Sequence, residues 1–309
     1  MADHELVQRD PQLLDAVARL AGVDRVLVVA ETLRGESRST FAVAAGDHEL
    51  VVKLVPGAQG AMDNQRRLVR LVRDLRRRGY PAPEYLGVGE AGGTIFTVQR
   101  RLPGQTLQGG PGLPPEPGLF AALLPSLLTA IELQRDVGDL AHPPWPAWLL
   151  DTIETGGDGY CLHATMRQAP RTAALLGCLQ TLARRNRPDQ ARARDVVHFD
   201  MNPANILHAG GRLSGVVDWN IPFDGAGQGD RGFDVATLLF YTYDIGPTRD
   251  ALWERALELS GLAWTTVYLC HLSLRQAEWS RRHSPGSAGE ERFLAIAEAV
   301  LHDCEAQGA

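Results

Sequence analysis

Residues 198–219 read HFDMNPANILHAGGRLSGVVDW, and how this stretch pairs with itself decides the fold. Gly210 and Gly211 make a tight turn between NILHA (205–209) and RLSGVVD (212–218), a pattern that predicts a β-hairpin. With that turn Asn205 falls opposite Val216, and Asp218 lies near Pro203, just beyond the paired end. Neighbouring strands run ~5 Å apart, so Asn205 and Asp218 can share one divalent cation. An amide carbonyl and a carboxylate suit Mg2+, which keeps phosphate and water as further ligands. Asp200 sits in the loop that enters the hairpin, where it can face a substrate hydroxyl. Three such oxygen-bearing side chains at one hairpin mouth suit phosphoryl transfer. The same residue types also serve as plain loop hydrogen-bonders. In a chain with 9 His, 21 Asp and 5 Asn, however, the spacing HxDxxxxN is expected about 0.01 times by chance.

Upstream, residues 11–21 predict a short amphipathic helix, capped by Asp10 with Pro11 in its first turn. Then VLVVAETL (26–33), STFAVAA (39–45) and HELVVKLV (48–55) alternate or are β-branched and are separated by turn residues, which predicts an antiparallel meander. An arginine-bearing helix follows, stopping at Gly79 ahead of Pro81 and Pro83, and TIFTVQ (94–99) is a further strand. Residues 103–118 are a Pro/Gly-rich connector. Beyond it the periodicity is helical over 119–138, 147–155, 171–186, 233–243, 250–260, 264–283 and 289–304, interrupted only by the hairpin. The expected fold class is α+β and bilobal: a small antiparallel-sheet lobe with one helix over residues 1–102, and a larger, mainly helical lobe over 103–309 with an insert at about 140–195. Ligands favour clefts between such lobes.

Composition excludes several classes. The chain is 44% hydrophobic and 22% charged, as ordinary globular proteins are, and has no apolar run near the ~20 residues that span a bilayer. The start, MADHELVQRDPQ, lacks the basic and apolar regions of a secretory signal. Cys161, Cys178, Cys270 and Cys304 are widely spaced, which predicts buried free thiols, a cytoplasmic protein and no membrane partner. Seven arginines against Asp74 fall within residues 66–78, but Leu68, Leu71, Val72 and Leu75 share a helical face there. The expectation is a solvated basic side rather than a nucleic-acid surface. The rest of the chain is acidic, which would suit a cationic small substrate. Of 31 basic residues, 30 are arginine and one, Lys53, is lysine.

On these residues the chain resembles the aminoglycoside phosphotransferase family, which includes choline-kinase-like enzymes and shares the protein-kinase fold. The resemblance rests on HxDxxxxN at 198–205, VVDWN at 216–220 and GDRGFDVATLL at 229–239. Weaker stretches at 41–55, 76–87 and 98–107 extend it. It implies an alcohol-accepting small-molecule kinase that uses Mg2+ and ATP or GTP. Asp200 would be the catalytic aspartate, His198 its loop brace, and Asn205 and Asp218 the metal ligands. Lys53 would contact the nucleotide phosphates, the turn 34–40 with Ser37 would cover them, and Gln99–Arg101 would be the hinge that meets the nucleobase. Asp151, Glu154 and Asp158 are candidates for a cationic acceptor such as an antibiotic, and equally suit a solvated surface. Trp145 and Trp148 could wall the acceptor pocket or anchor the insert. Three departures stand out: Phe199 replaces the family's usual glycine, no glutamate is placed to pair with Lys53, and residues 221–228 lengthen the loop after Asp218. A metabolic kinase for an amino alcohol or sugar, or a non-catalytic nucleotide-binding regulator, are the alternatives.

Overall fold

The computed structural model describes residues 10–32, 40–55, 60–108, 112–137, 145–188, 195–219 and 228–308. Helix α1 (Pro11–Ala21) begins where the Asp10 carboxylate accepts from the Gln12 and Leu13 N–H groups and ends at Gly22. Strands β1 (Leu27–Thr32), β2 (Thr40–Ala45), β3 (His48–Val55), β4 (Tyr85–Ala91) and β5 (Thr94–Arg100) form an antiparallel sheet in the order β1-β2-β3-β5-β4. Helix α2 (Ala61–Arg77) crosses between β3 and β4 in sequence. Two differences from the sequence expectation have clear causes. Strand β4, YLGVGEA, has two glycines and weak alternation, so its hairpin with β5 is what fixes it. The sheet also carries two helices rather than one. Leu13 and Val17 of α1 pack with Phe41, Val43, Leu50, Val52, Phe96 and Val98, whereas Leu68, Leu71, Val72 and Leu75 of α2 join the core of the helical part.

The arginine run of α2 is more than a solvated face. Arg73 donates to the Tyr85 and Leu86 carbonyls, Arg76 to Ala82 O, and Arg78 to Arg135 O. Their guanidinium groups satisfy backbone acceptors at the edge of the sheet, in the turn after α2 and, for Arg78, at Arg135.

After β5 the connector adds a short strand, β6 (Gln105–Thr106), to the hairpin of β8 (Ile206–Ala209) and β9 (Arg212–Val216), giving the order β6-β8-β9. The Gly210–Gly211 turn stands as expected, but the register shifts within the hairpin. Ala209 faces Arg212 and His208 faces Leu213, after which Leu207 faces Gly215 and Ile206 faces Val216. Ser214 is the bulged residue, and its hydroxyl donates to Pro103 O at 2.7 Å. Asn205 therefore lies one place further along than expected, with its carbonyl accepting from Val217 N–H at 2.9 Å. The connector is held close: Leu107 N–H donates to Ile206 O, and Gly104 adopts φ +112 so near β8 that a Cβ would sit 2.4 Å from His208 O.

The remaining helices are α3 (Pro117–Glu132), α4 (Trp145–Glu154), α5 (His163–Met166), α6 (Pro170–Arg185), α7 (Gly232–Tyr241), α8 (Gly246–His283) and α9 (Ala288–Ala306). Short strands β7 (Asp195–Val196) and β10 (Gln228–Gly229) pair ahead of the hairpin and of α7. Gly261, with φ 78 and ψ 167, breaks α8 where the sequence reads as two helices. Helix α3 ends at Glu132, short of the expected 138, and α5 was not anticipated. Helix α7 is buried from Gly232 through Phe240 and forms the centre of this part. Cys161, Cys270 and Cys304 are buried free thiols as expected, but Cys178 is exposed. Among the described residues no helix is long and apolar enough to cross a membrane.

Replacing Gly104 tests the connector clasp. Gly104→Ala should destabilise the protein by about 2 kcal/mol, because it combines a disfavoured φ with a backbone clash. The urea midpoint would fall while the slope of the transition stays the same.

Candidate active site

The loop that leads into the hairpin hangs on one carboxylate. Asp234, fully buried in the first turn of α7, accepts from the backbone N–H of His198 at 2.8 Å and of Phe199 at 3.1 Å. Gln134 Nε2 donates to the same carboxylate at 2.7 Å. Burial outweighs these donors and lifts the carboxyl from 3.8 to about 6. One strand earlier, Asp195 accepts from Arg231 through both its guanidinium (2.7 Å) and its backbone N–H (3.2 Å), which fixes the approach to the loop.

His198 is buried. Its Nε2 lies 2.8 Å from Val217 O, a group that can only accept, so the ring proton sits on Nε2. Its Nδ1 is thereby left to accept from Asp200 N–H at 3.3 Å. The ring also packs edge-on against Trp219, with centroids 4.6 Å apart, and Trp219 Nε1 donates to Val216 O. Phe199 adopts φ +66, the left-handed region open to glycine, at a cost of roughly 1–2 kcal/mol for a residue with a Cβ. That backbone state explains why glycine suits the position and why the phenyl ring needs packing to hold it.

The Asp200 carboxylate is held by two amides. Asn202 Nδ2 donates to Oδ1 at 2.8 Å, and Asn205 Nδ2 donates to Oδ2 at 3.0 Å and to the Asp200 carbonyl at 2.9 Å. Asn202 Oδ1 in turn caps the short turn 203–205 through Ala204 N–H. With its amino group committed to Asp200, Asn205 has its Oδ1 as the atom left to meet a cation. Asp218, also at positive φ (+61), closes the set from the end of the hairpin. Lys53 Nζ lies 2.5 Å from Asp218 Oδ1. The lysine on β3 thus pairs with the hairpin carboxylate, and the glutamate sought on α2 is not needed for that contact. Asn205 and Asp218 offer hard oxygen donors, the chemistry Mg2+ takes when phosphate completes its shell. Among the described residues no cluster of three His, Cys, Asp or Glu offers a self-sufficient metal cage.

The remaining candidates are placed less centrally. Gln99 is paired within the sheet to Val51 and Tyr85. Arg101 gives its N–H to Glu49 O at 3.0 Å and its guanidinium to the Glu49 carboxylate at 2.9 Å. Arg100 N–H goes to Glu84 O. Leu102 has the first N–H after the sheet that no described hydrogen bond takes. Asp151, Glu154 and Asp158 are exposed, and Asp151 Oδ1 accepts from the Thr155 hydroxyl at 2.8 Å. No described hydrogen bond or ion pair joins these three to Asp200. Ser37 and most of the loop 221–228 lie outside the described residues. Asp234, Asn202 and Asp195 were not picked out as site residues. For Asp234 the signal was present: one carboxylate inside the apolar run FDVATLLF.

A native pKa above the unfolded one means that the folded protein holds the proton more tightly. The Asp234 contribution is then complete below about pH 4 and is lost as pH rises through about 6. Urea unfolding should show the stability gap between wild type and Asp234→Asn narrowing from about pH 4 to about pH 6 and flat above that.

A profile described as the phosphotransferase enzyme family matches residues 29–269. Hygromycin-B 4-O-kinase of Escherichia coli is 26% identical over 230 residues, covering 71% of this chain; the chain spans 63% of that enzyme's length. Among solved structures, the aminoglycoside phosphotransferase APH(4)-Ia in complex with ADP and hygromycin B superposes with a TM-score of 0.66 at 17% identity, covering 98% of both chains. The choline kinase LicA from Streptococcus pneumoniae superposes with a TM-score of 0.60 at 15% identity, covering 94% of this chain and 98% of its own. At these identities the structural likeness is one of fold.

Proposed function

Because the chain belongs to the phosphotransferase enzyme family, we propose that it is a small-molecule O-kinase that moves the γ-phosphate of ATP or GTP to an alcohol. The observation that carries this is the convergence of Asp200, Asn205, Asp218 and Lys53 at one hairpin mouth. In this reading residues 1–102 hold the nucleotide, residues 103–309 supply the loop and the acceptor side, and the protein works in the cytoplasm.

The acceptor oxygen attacks the γ-phosphorus in line. The bond from phosphorus to the β,γ-bridging oxygen breaks, and the nucleoside diphosphate leaves with the electron pair. Asp200, held by Asn202 and Asn205, orients the acceptor hydroxyl and takes its proton. Asp218 and Asn205 Oδ1 would hold Mg2+, which would offset charge on the transferring phosphoryl group. Lys53, a compact ammonium already at the hairpin mouth, meets the α- and β-phosphates. With the Arg100 and Arg101 N–H groups committed to the sheet, Leu102 N–H is the backbone donor we assign to the nucleobase, with Gln99 and Arg101 shaping the hinge. Ser37 is assigned to the phosphate-covering turn. Similarity to hygromycin-B 4-O-kinase supports an antibiotic acceptor and resistance by inactivation. The fold likeness to a choline kinase keeps a metabolic amino-alcohol kinase as the second reading. Phe199 would suit a non-catalytic regulator, but the intact Asp200 set weighs against one.

Asp200→Ala should lower acceptor-dependent ADP release by about 10²- to 10⁴-fold, while calorimetry shows nucleotide still bound. Turnover near wild type would sink the assignment. Lys53→Arg keeps the charge but should still lower kcat/KM for the nucleotide, because a planar guanidinium cannot reproduce an ammonium's position. Unchanged steady-state kinetics would remove Lys53 from the site.

A further inference from the structure

Each of the four polar groups of Asn202 makes a hydrogen bond inside the segment 200–205. Its backbone N–H donates to Asp200 O at 2.8 Å, and its carbonyl accepts from Asn205 N–H at 3.0 Å. Its side-chain Oδ1 accepts from Ala204 N–H at 2.8 Å, and its Nδ2 donates to Asp200 Oδ1, also at 2.8 Å. The amide cannot be turned round without losing both side-chain bonds. Ala204 N–H can only donate, so it takes the amide oxygen, and the amino group is what remains for the carboxylate. Local chemistry sets this up. Asn202 is extended (φ −92, ψ 162), as a residue ahead of proline prefers to be. Pro203 has no N–H, so the cap falls on Ala204.

The two amides on the Asp200 carboxylate are therefore not equivalent. Asn205 is buried, and its Nδ2 is shared between Asp200 Oδ2 at 3.0 Å and Asp200 O at 2.9 Å. Its Oδ1 is the atom assigned above to the cation, so Asn205 would serve nucleotide binding as well as Asp200. Asn202 has no such second task, because its described hydrogen bonds all stay within the loop. It caps the turn that carries Asn205 and holds one oxygen of Asp200, and so fixes the carboxylate relative to that turn. Few short side chains can do this. An amide accepts at one atom and donates at the other, whereas a carboxylate of the same shape only accepts.

We propose that Asn202 is a positioning residue for phosphoryl transfer: its amino group aims the Asp200 carboxylate at the acceptor hydroxyl, and it supports turnover without supporting nucleotide affinity. This rests on the phosphotransferase reading above, and the experiment tells the two apart. Three variants of the full chain divide the tasks of the amide. Asn202→Asp keeps the cap and the shape but removes the donor, and Asn202→Ala removes both. Asn202→Ser restores a short hydroxyl that can accept from Ala204 and donate to Asp200. ADP release would be followed with hygromycin B, choline and water as acceptors, AMP-PNP binding by titration calorimetry with Mg2+, and stability by melting curves. Asn202→Asp and Asn202→Ala should both lower kcat by about tenfold to a hundredfold with whichever acceptor turns over, and Asn202→Ser should recover part of the loss. AMP-PNP affinity should stay within about threefold of wild type in all three. The cap kept in Asn202→Asp should make it melt above Asn202→Ala, although its kcat is no higher. Turnover that follows melting temperature, with Asn202→Asp nearer to wild type than Asn202→Ala in both, would overturn the proposal. So would a loss of AMP-PNP affinity in step with kcat. Wild-type protein that releases no ADP with any of the three acceptors, or does not bind AMP-PNP, would overturn the phosphotransferase reading and the role of Asn202 with it.

Discussion

Two backbone N–H groups, those of His198 and Phe199, end on the two oxygens of a single buried carboxylate, Asp234. Neither N–H belongs to a strand or helix, so without this acceptor each would be a buried donor costing roughly 1–3 kcal/mol. The arrangement makes the loop a rigid extension of α7, the most deeply buried helix of the molecule. Everything the site needs follows from that anchorage. His198 is oriented to bridge Val217 and Asp200, Phe199 is held at positive φ, and Asp200 emerges where Asn202 and Asn205 can flank it.

The second constraint brings the sheet to this loop. The connector after β5 lies on the hairpin so closely that Gly104 has no room for a side chain, and Ser214 leaves the ladder to bond Pro103 O. Val216 N–H donates across to Pro81 O, in the segment between α2 and β4. The five-stranded sheet and the Asp218 end of the hairpin are thereby stitched at three points. Against that frame the Lys53–Asp218 pair at 2.5 Å is a consequence of where two backbones have already been put. The pair joins the residue expected to meet phosphate to the one expected to meet the cation. The opposite charges of Lys53 and Asp218 therefore offset each other.

Much of this was legible before any coordinates. The Gly210–Gly211 turn, the meander and the helix capped by Asp10 are set by local chemistry, and local chemistry is what a sequence displays. The features that escaped it are non-local. The one-residue shift of the hairpin comes from Ser214 choosing a partner more than a hundred residues away. Strand β4 exists because β5 is there to receive it. Asp234 was visible as a carboxylate in an apolar helix, yet its donors lie 35, 36 and 100 residues upstream. Lys53 pairs with Asp218 of the hairpin, 165 residues away, and not with α2, the neighbouring element in sequence.

The use of basic residues shows the same division between structure and chemistry. Where the chain needs a fixed fork it has arginine: Arg73 spans the Tyr85 and Leu86 carbonyls, Arg292 grips Asp244 with two nitrogens, and Arg171 clamps Glu291 and Glu298. Each of those contacts uses the fixed fork of the guanidinium, which loses little freedom in making it. Lys53 faces a different demand. It pairs with Asp218, and in the proposed catalytic state it would meet phosphate oxygens, so its charge would turn between acceptors. An ammonium with three equivalent donors on a flexible stem can do that, and a rigid fork cannot. In a chain with arginine at every other basic position, the lysine is the cation that meets Asp218 at the hairpin mouth.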